Sequence, residues 1–138
     1  MQGVTILAPD ARAAWETAYE ADGLPSHSWH YARGLQSAGL DPRLAVVEAD
    51  GARMLLPFIE RPFAAPDGEV LDIATIPAMS GAVLSVDSLA PLELWADHAR
   101  RQGWVCGYIQ LALKNHCLRD LDPDRIVQHN IMIQFDLA

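Results

Sequence analysis

The sequence predicts a mixed α/β domain. Its central sheet is mostly antiparallel and flanked by helices, in the order β-α-α-β-β-β-α-β-(α)-β. Three observations carry that prediction. Residues 43–49 and 52–59 are apolar, β-rich runs joined only by Asp50-Gly51, and Asp-Gly between two such runs signals a tight hairpin. Residues 89–102 carry a helical stripe in Leu92, Trp95, Ala96 and Ala99, with Pro91 in the first turn and Gly103 past the end. An apolar strand at 70–74 precedes that helix, and 105–113 reads as a further strand after it.

The remaining elements follow in chain order. Residues 4–8 form a short strand. Pro9-Asp10 opens a helix in which Asp10 is a candidate N-cap, and Trp15 and Tyr19 share one face. Residues 23–27 break it. Residues 28–38 form a second helix, closed by Gly39 as a C′ glycine. After the hairpin, 62–68 (Pro-Phe-Ala-Ala-Pro-Asp-Gly) is rich in turn formers and reads as a connection. Asp87 or Ser88 caps the third helix. Residues 114–124 leave room for a short helix, and 125–137 ends the chain as a strand.

At 138 residues the chain is one domain, with a single core. No apolar run approaches the ~20 residues of a membrane helix. The first residues lack the basic and apolar regions of a secretory leader, which points to the cytoplasm. Cys106 and Cys117, the two cysteines, stand in neither C-x-x-C nor zinc spacing and read as reduced thiols. The net charge of −8, with ten scattered basic residues, argues against nucleic acid and fits an amine-bearing partner.

The stretch at 75–88, Thr-Ile-Pro-Ala-Met-Ser-Gly-Ala-Val-Leu-Ser-Val-Asp-Ser, lies where an α/β protein often grips a phosphate. It is long and apolar, with one glycine and no Lys or Arg. A phosphate grip needs a short glycine turn that aims free N–H groups at the anion. This stretch reads instead as a packing or cleft-lining segment.

Leu24-Pro-Ser-His-Ser-Trp29, the hairpin Leu44-Ala-Val-Val-Glu-Ala-Asp-Gly-Ala-Arg-Met-Leu-Leu-Pro57, Ser80-Gly-Ala-Val-Leu-Ser85 and Ile131-Met-Ile-Gln-Phe-Asp-Leu137 carry a resemblance. Together with the element order, they resemble the GNAT acyltransferase superfamily. More narrowly, the chain is similar to the N-terminal half of tandem proteins of the FemAB and BioF2-like kind. The resemblance implies N-acylation of an amine-bearing small molecule or peptide, from acyl-CoA or a charged tRNA. It departs from the pattern in two ways. The Arg/Gln-x-x-Gly-x-Gly/Ala turn that holds coenzyme A is absent from 75–88, and one further strand is expected after the last. The resemblance therefore implies a half that contributes acceptor-cleft wall. It binds no cofactor alone and works with a second GNAT-like domain or a homodimer partner. The alternative is a non-catalytic GNAT-derived binding or assembly module.

Acyl transfer to an amine needs a base for the proton and an acid for the leaving thiolate. His30, Glu60 and His116 are the candidate bases, and Tyr108 the candidate acid. The tyrosine that the family places on the helix after that strand is missing from 114–122. His27, Trp29, His30 and Tyr31 are candidate acceptor-wall residues through the resemblance, and Met79 and Ser80 join them from the loop. The bland reading of each is packing, capping or a solvated face. His27 and His30 lack a third ligand of suitable spacing, so no metal is expected. Ser80-Gly81 lacks the frame of a nucleophile elbow. Cys117 beside His116 lacks an orienting third group. The acidic stretch at 120–124 lacks the glycine and terminal glutamate of a calcium loop.

Overall fold

The computed structural model describes residues 2–75, 81–104 and 106–109. It is a mixed α/β domain. Strands β1 (Gly3–Leu7), β2 (Pro42–Ala49), β3 (Ala52–Ala65) and β4 (Gly68–Thr75) form an antiparallel sheet in that spatial order. Strand β6 (Cys106–Tyr108) adds to β4 in parallel, pairing Asp72 with Cys106, Ile73 with Gly107 and Ala74 with Tyr108. The connection into β6 runs through helix α3 (Ala90–Gln102). A parallel neighbour needs such a crossover. Helices α1 (Arg12–Asp22) and α2 (Trp29–Ser37) lie between β1 and β2, separated by a 3-10 turn at Pro25–His27.

Alternation along the strands divides the core into two layers. Met54, Leu56 and Phe58 of β3 join Ala45, Val47, Ile73 and Trp95 of α3 in one cluster. Leu44 and Leu55 point the other way and meet Trp15, Ala18 and Ala32 of α1 and α2. A smaller cluster sets Tyr31 and Leu35 of α2 on Ile59 and Ala74, near the β4–β6 junction.

The hairpin forms as the sequence predicts. Asp50 (φ 50°) and Gly51 (φ 77°) both take left-handed backbone, which a two-residue turn requires. Gly103 ends α3 in the left-handed conformation, φ 72°.

Three expectations need correction. Asp10 does not cap α1, which begins at Arg12 with Ala11 as N-cap and no side-chain cap bond. The Ala11 N–H instead donates to the Ala8 carbonyl at 3.0 Å, which folds Asp10 into a preceding turn. The stretch 62–68 is not a connection. Strand β3 continues through Pro62 to Ala65, and only Pro66-Asp67 turns the chain into β4. The cross-strand pairs Pro62–Leu71 and Phe63–Val70 extend the ladder, and Arg61 grips Asp72 through two hydrogen bonds of 2.9 and 2.7 Å. Finally, 75–88 is not simply a loop, because it contains strand β5 (Val83–Leu84).

Strand β5 pairs Leu55 with Val83 and Met54 with Leu84. Strand β4 ends with Thr75 opposite Phe58. The two strands thus run in the same direction along one side of β3. On β3 only Leu56 and Pro57 separate the residues that face Thr75 and Val83. Strand β5 therefore takes up the line of β4 along β3. Pro57, between those two pairings, has no N–H to donate.

Of the strand expected at 105–113, Cys106–Tyr108 is described as β6. The short helix expected at 114–124 and the strand at 125–137 lie outside the described residues.

Candidate functional site at the break in the β4 line

The end of β4 and the start of β5 meet the same side of β3, and interrupted strand pairing is where sheets commonly build sites. Its incoming end is Thr75, a buried polar residue. Beside it lie Ala74 and Ile59, under Tyr31 and Leu35 of α2. Tyr108 is set opposite Ala74 by the β4–β6 register. The returning end is Gly81-Ala82, buried and leading directly into β5.

His27 holds that returning end. Its side chain is fully buried. The Leu24 N–H donates to Nδ1 at 3.2 Å, and Nε2 lies 3.0 Å from the Gly81 carbonyl. An imidazole that accepts at Nδ1 and faces a carbonyl at Nε2 must carry its proton on Nε2. The His27 carbonyl in turn accepts from Trp15 Nε1 at 2.8 Å. One residue therefore joins α1, the 3-10 turn and the segment before β5. This corrects the reading of His27 as an open wall residue: burial and both ring nitrogens commit it to the fold.

The other candidates divide. Trp29 is half-buried against the α1–α2 cluster, and its Nε1 donates to the Pro9 carbonyl at 2.7 Å. The Arg12 guanidinium lies over its ring, 4.2 Å from the centroid, a cation–π distance. Tyr31 borders the break through Ile59 and Ala74. Its N–H donates to Ser28 Oγ at 3.3 Å, which caps α2. His30 is exposed on α2, its ring edge-on to Trp29 at 5.2 Å.

Glu60 alternates with Ile59 on β3 and so stands on the opposite face of the sheet from α2. There its carboxylate is 3.9 Å from Arg43 Nε. His30 and Glu60 are thus not brought together. Met79, Ser80 and His116 lie outside the described residues. Sequence reading missed Leu35, Thr75 and the bulge-like return at Gly81. Small residues at Gly81-Ala82, which let a segment bury its backbone closely, are the only local signal for the last.

The N-terminus of α3 is already occupied. Ser88 Oγ accepts the Ala90 N–H at 3.3 Å, Pro91 has no N–H, and Glu93 places a carboxylate in the first turn. These features take up the Ala90 donor, remove one at Pro91 and set a carboxylate against the positive end of the dipole that an anion would use. Among the described residues, no group of three or more His, Cys, Asp or Glu could hold a metal ion. No described helix is long and apolar enough to cross a membrane.

The chain matches no protein-family model, no curated protein and no solved structure.

Proposed function

We propose that this domain is a GNAT-like half of an N-acyltransferase that supplies acceptor-cleft wall, while a second domain or second copy supplies the donor site. The observation that carries the reading is the sheet itself. Two helices follow β1, four strands then run antiparallel, and α3 crosses over to a parallel β6 beside a broken β4 line. That plan fits the acyltransferase resemblance of the sequence. Tyr31, Leu35 and Tyr108 are the wall residues it favours, because α2 and the β4–β6 register bring them to the break.

The reading assigns no acyl-CoA grip to this chain. Its support is the α3 N-terminus, where Ser88, Pro91 and Glu93 leave little for a pyrophosphate. The acceptor is an amine-bearing small molecule or peptide, in keeping with the net charge of −8.

One observation favours a second reading, a non-catalytic GNAT-derived binding or assembly module. Glu60, one of the candidate bases, stands on the face of the sheet away from α2, where its carboxylate meets Arg43.

Calorimetric titration with acetyl-CoA tests both. The half-enzyme reading expects no binding by this chain alone and amine acylation once a donor-binding domain is added. Tight binding by the chain alone overturns the missing donor grip. Absence of acylation with every donor-binding domain that complexes with the chain favours the assembly module.

A further inference from the structure

We propose that His27 is a positioning residue that clamps the Gly81–Leu84 return segment to the turn ahead of α2, so that the two move as one body. The inference goes beyond the acyltransferase reading and does not depend on it.

Strand β5 pairs with β3 at only two positions, Val83 and Leu84, so contacts on either side of that short pairing do much to fix it. Downstream the anchor is plain. The Ser85 N–H donates to the Arg53 carbonyl at 2.8 Å, and Ser85 Oγ accepts the Arg53 N–H at 3.0 Å. Upstream the described contact is the imidazole, Nε2 to the Gly81 carbonyl at 3.0 Å, made across 54 positions of sequence.

The same ring is not free to swing. Leu24 N–H holds Nδ1, and Trp15 holds the residue's own carbonyl. Full burial removes water as a substitute partner. A displacement of the 3-10 turn must then either carry Gly81 with it or leave buried polar groups unpaired. The clamp joins the element that begins α2, with Tyr31, to the segment that closes the break. It makes the two sides of the candidate site one mechanical unit.

Two substitutions separate the halves of the clamp. His27→Asn keeps an acceptor at the δ position for Leu24 and cannot reach Gly81. His27→Gln places an N–H donor at the ε position, toward Gly81, and gives up the Nδ1 acceptor. Amide hydrogen exchange on the full chain reads the outcome, with Val46 and Val47 of β2 as internal reference. The expected result is exchange at Val83 and Leu84 that is roughly fivefold to tenfold faster in His27→Asn, from loss of one buried hydrogen bond. Protection is retained in His27→Gln. Equal protection in His27→Asn and the parent, or equal loss in both variants, overturns the proposal. If neither variant folds, the imidazole nitrogen spectrum of the parent decides. An Nε2–H tautomer with a slowly exchanging proton is expected, and an Nδ1–H tautomer overturns the clamp.

Discussion

The two faces of the sheet are held by different kinds of force. On the α3 face the aromatic rings meet one another. Phe58 and Trp95 lie 5.4 Å apart, Trp95 and Trp104 5.3 Å, and Phe58 and Trp104 5.7 Å, packed over Met54 and Leu56. On the α1–α2 face the rings are tied by hydrogen bonds to backbone carbonyls. Trp15 binds His27, Trp29 binds Pro9, His27 reaches Gly81, and Arg53 Nη2 donates to the Ala18 carbonyl at 2.9 Å. Packing is non-directional and rewards volume. Hydrogen bonds are directional, and breaking one side strands a buried partner. One face is therefore specified by shape and the other by bond geometry, and the candidate site lies on the second.

The largest loss of stability is expected on the packed face. Trp95 is 2% exposed and touches both other rings. Trp95→Ala is expected to cost about 3–5 kcal/mol, the range for deleting a buried large aromatic. Urea unfolding measures it. A loss well below that range would mean that α3 repacks and that shape does not specify this face.

The tied face gives a smaller, sharper test. Trp15→Phe keeps most of the ring and removes the N–H, leaving the buried His27 carbonyl without that donor. The expected cost is about 1–3 kcal/mol by the same unfolding measurement, above what the lost ring area alone would give. A cost near zero would show that the Trp15 bond adds nothing beyond packing.

The same contrast explains what was legible in the sequence. Features set by neighbouring residues could be read directly. Asp50-Gly51 forms the hairpin because two adjacent residues must take positive φ, and the stripe through Trp95 marks the buried face of α3. Features set by distant partners could not. Pro62 and Pro66 look locally like turn formers, yet β3 runs through Pro62 because Leu71 and Val70 pair across from it and its neighbour. The resumption of the β4 line at Val83 depends on Leu55, far back in the chain. His27 looked available for a ligand because the carbonyl that takes its Nε2 lies at Gly81. Directional contacts across long separations leave no periodicity to read.

A pH titration tests the packed face from another side. His98 stacks on Trp95 at 5.6 Å, within the aromatic cluster. Its pKa is lowered from 6.5, first by burial, which penalises the charged ring, and then by the Arg101 cation. The unfolded chain protonates His98 at its ordinary value, while the folded chain resists until lower pH. Between those values the unfolded state binds more protons, so stability falls as pH falls below about 6.5 and levels beneath the folded pKa. Unfolding midpoints measured across that window should fall more steeply toward acid in the parent than in His98→Phe. Parallel curves would remove His98 from the account.

The smallest effect is expected where a polar tie leaves the interior. The two bonds between Arg61 and Asp72 form a bidentate pair, but the Arg61 side chain is 54% exposed. Water can take the place of Asp72 at the exposed guanidinium, and salt screens the charges, so bidentate geometry is worth little here. Arg61→Met retains the apolar stem on β3. Combined with Asp72→Asn in a double-mutant cycle, it should return a coupling of about 0.2–1 kcal/mol that shrinks in high salt. A coupling as large as the cost of Trp15→Phe, and insensitive to salt, would mean that bond direction matters on this face regardless of burial. The distinction between the two faces would then rest on chemistry alone, and the depth of His27 would not be what makes its clamp effective.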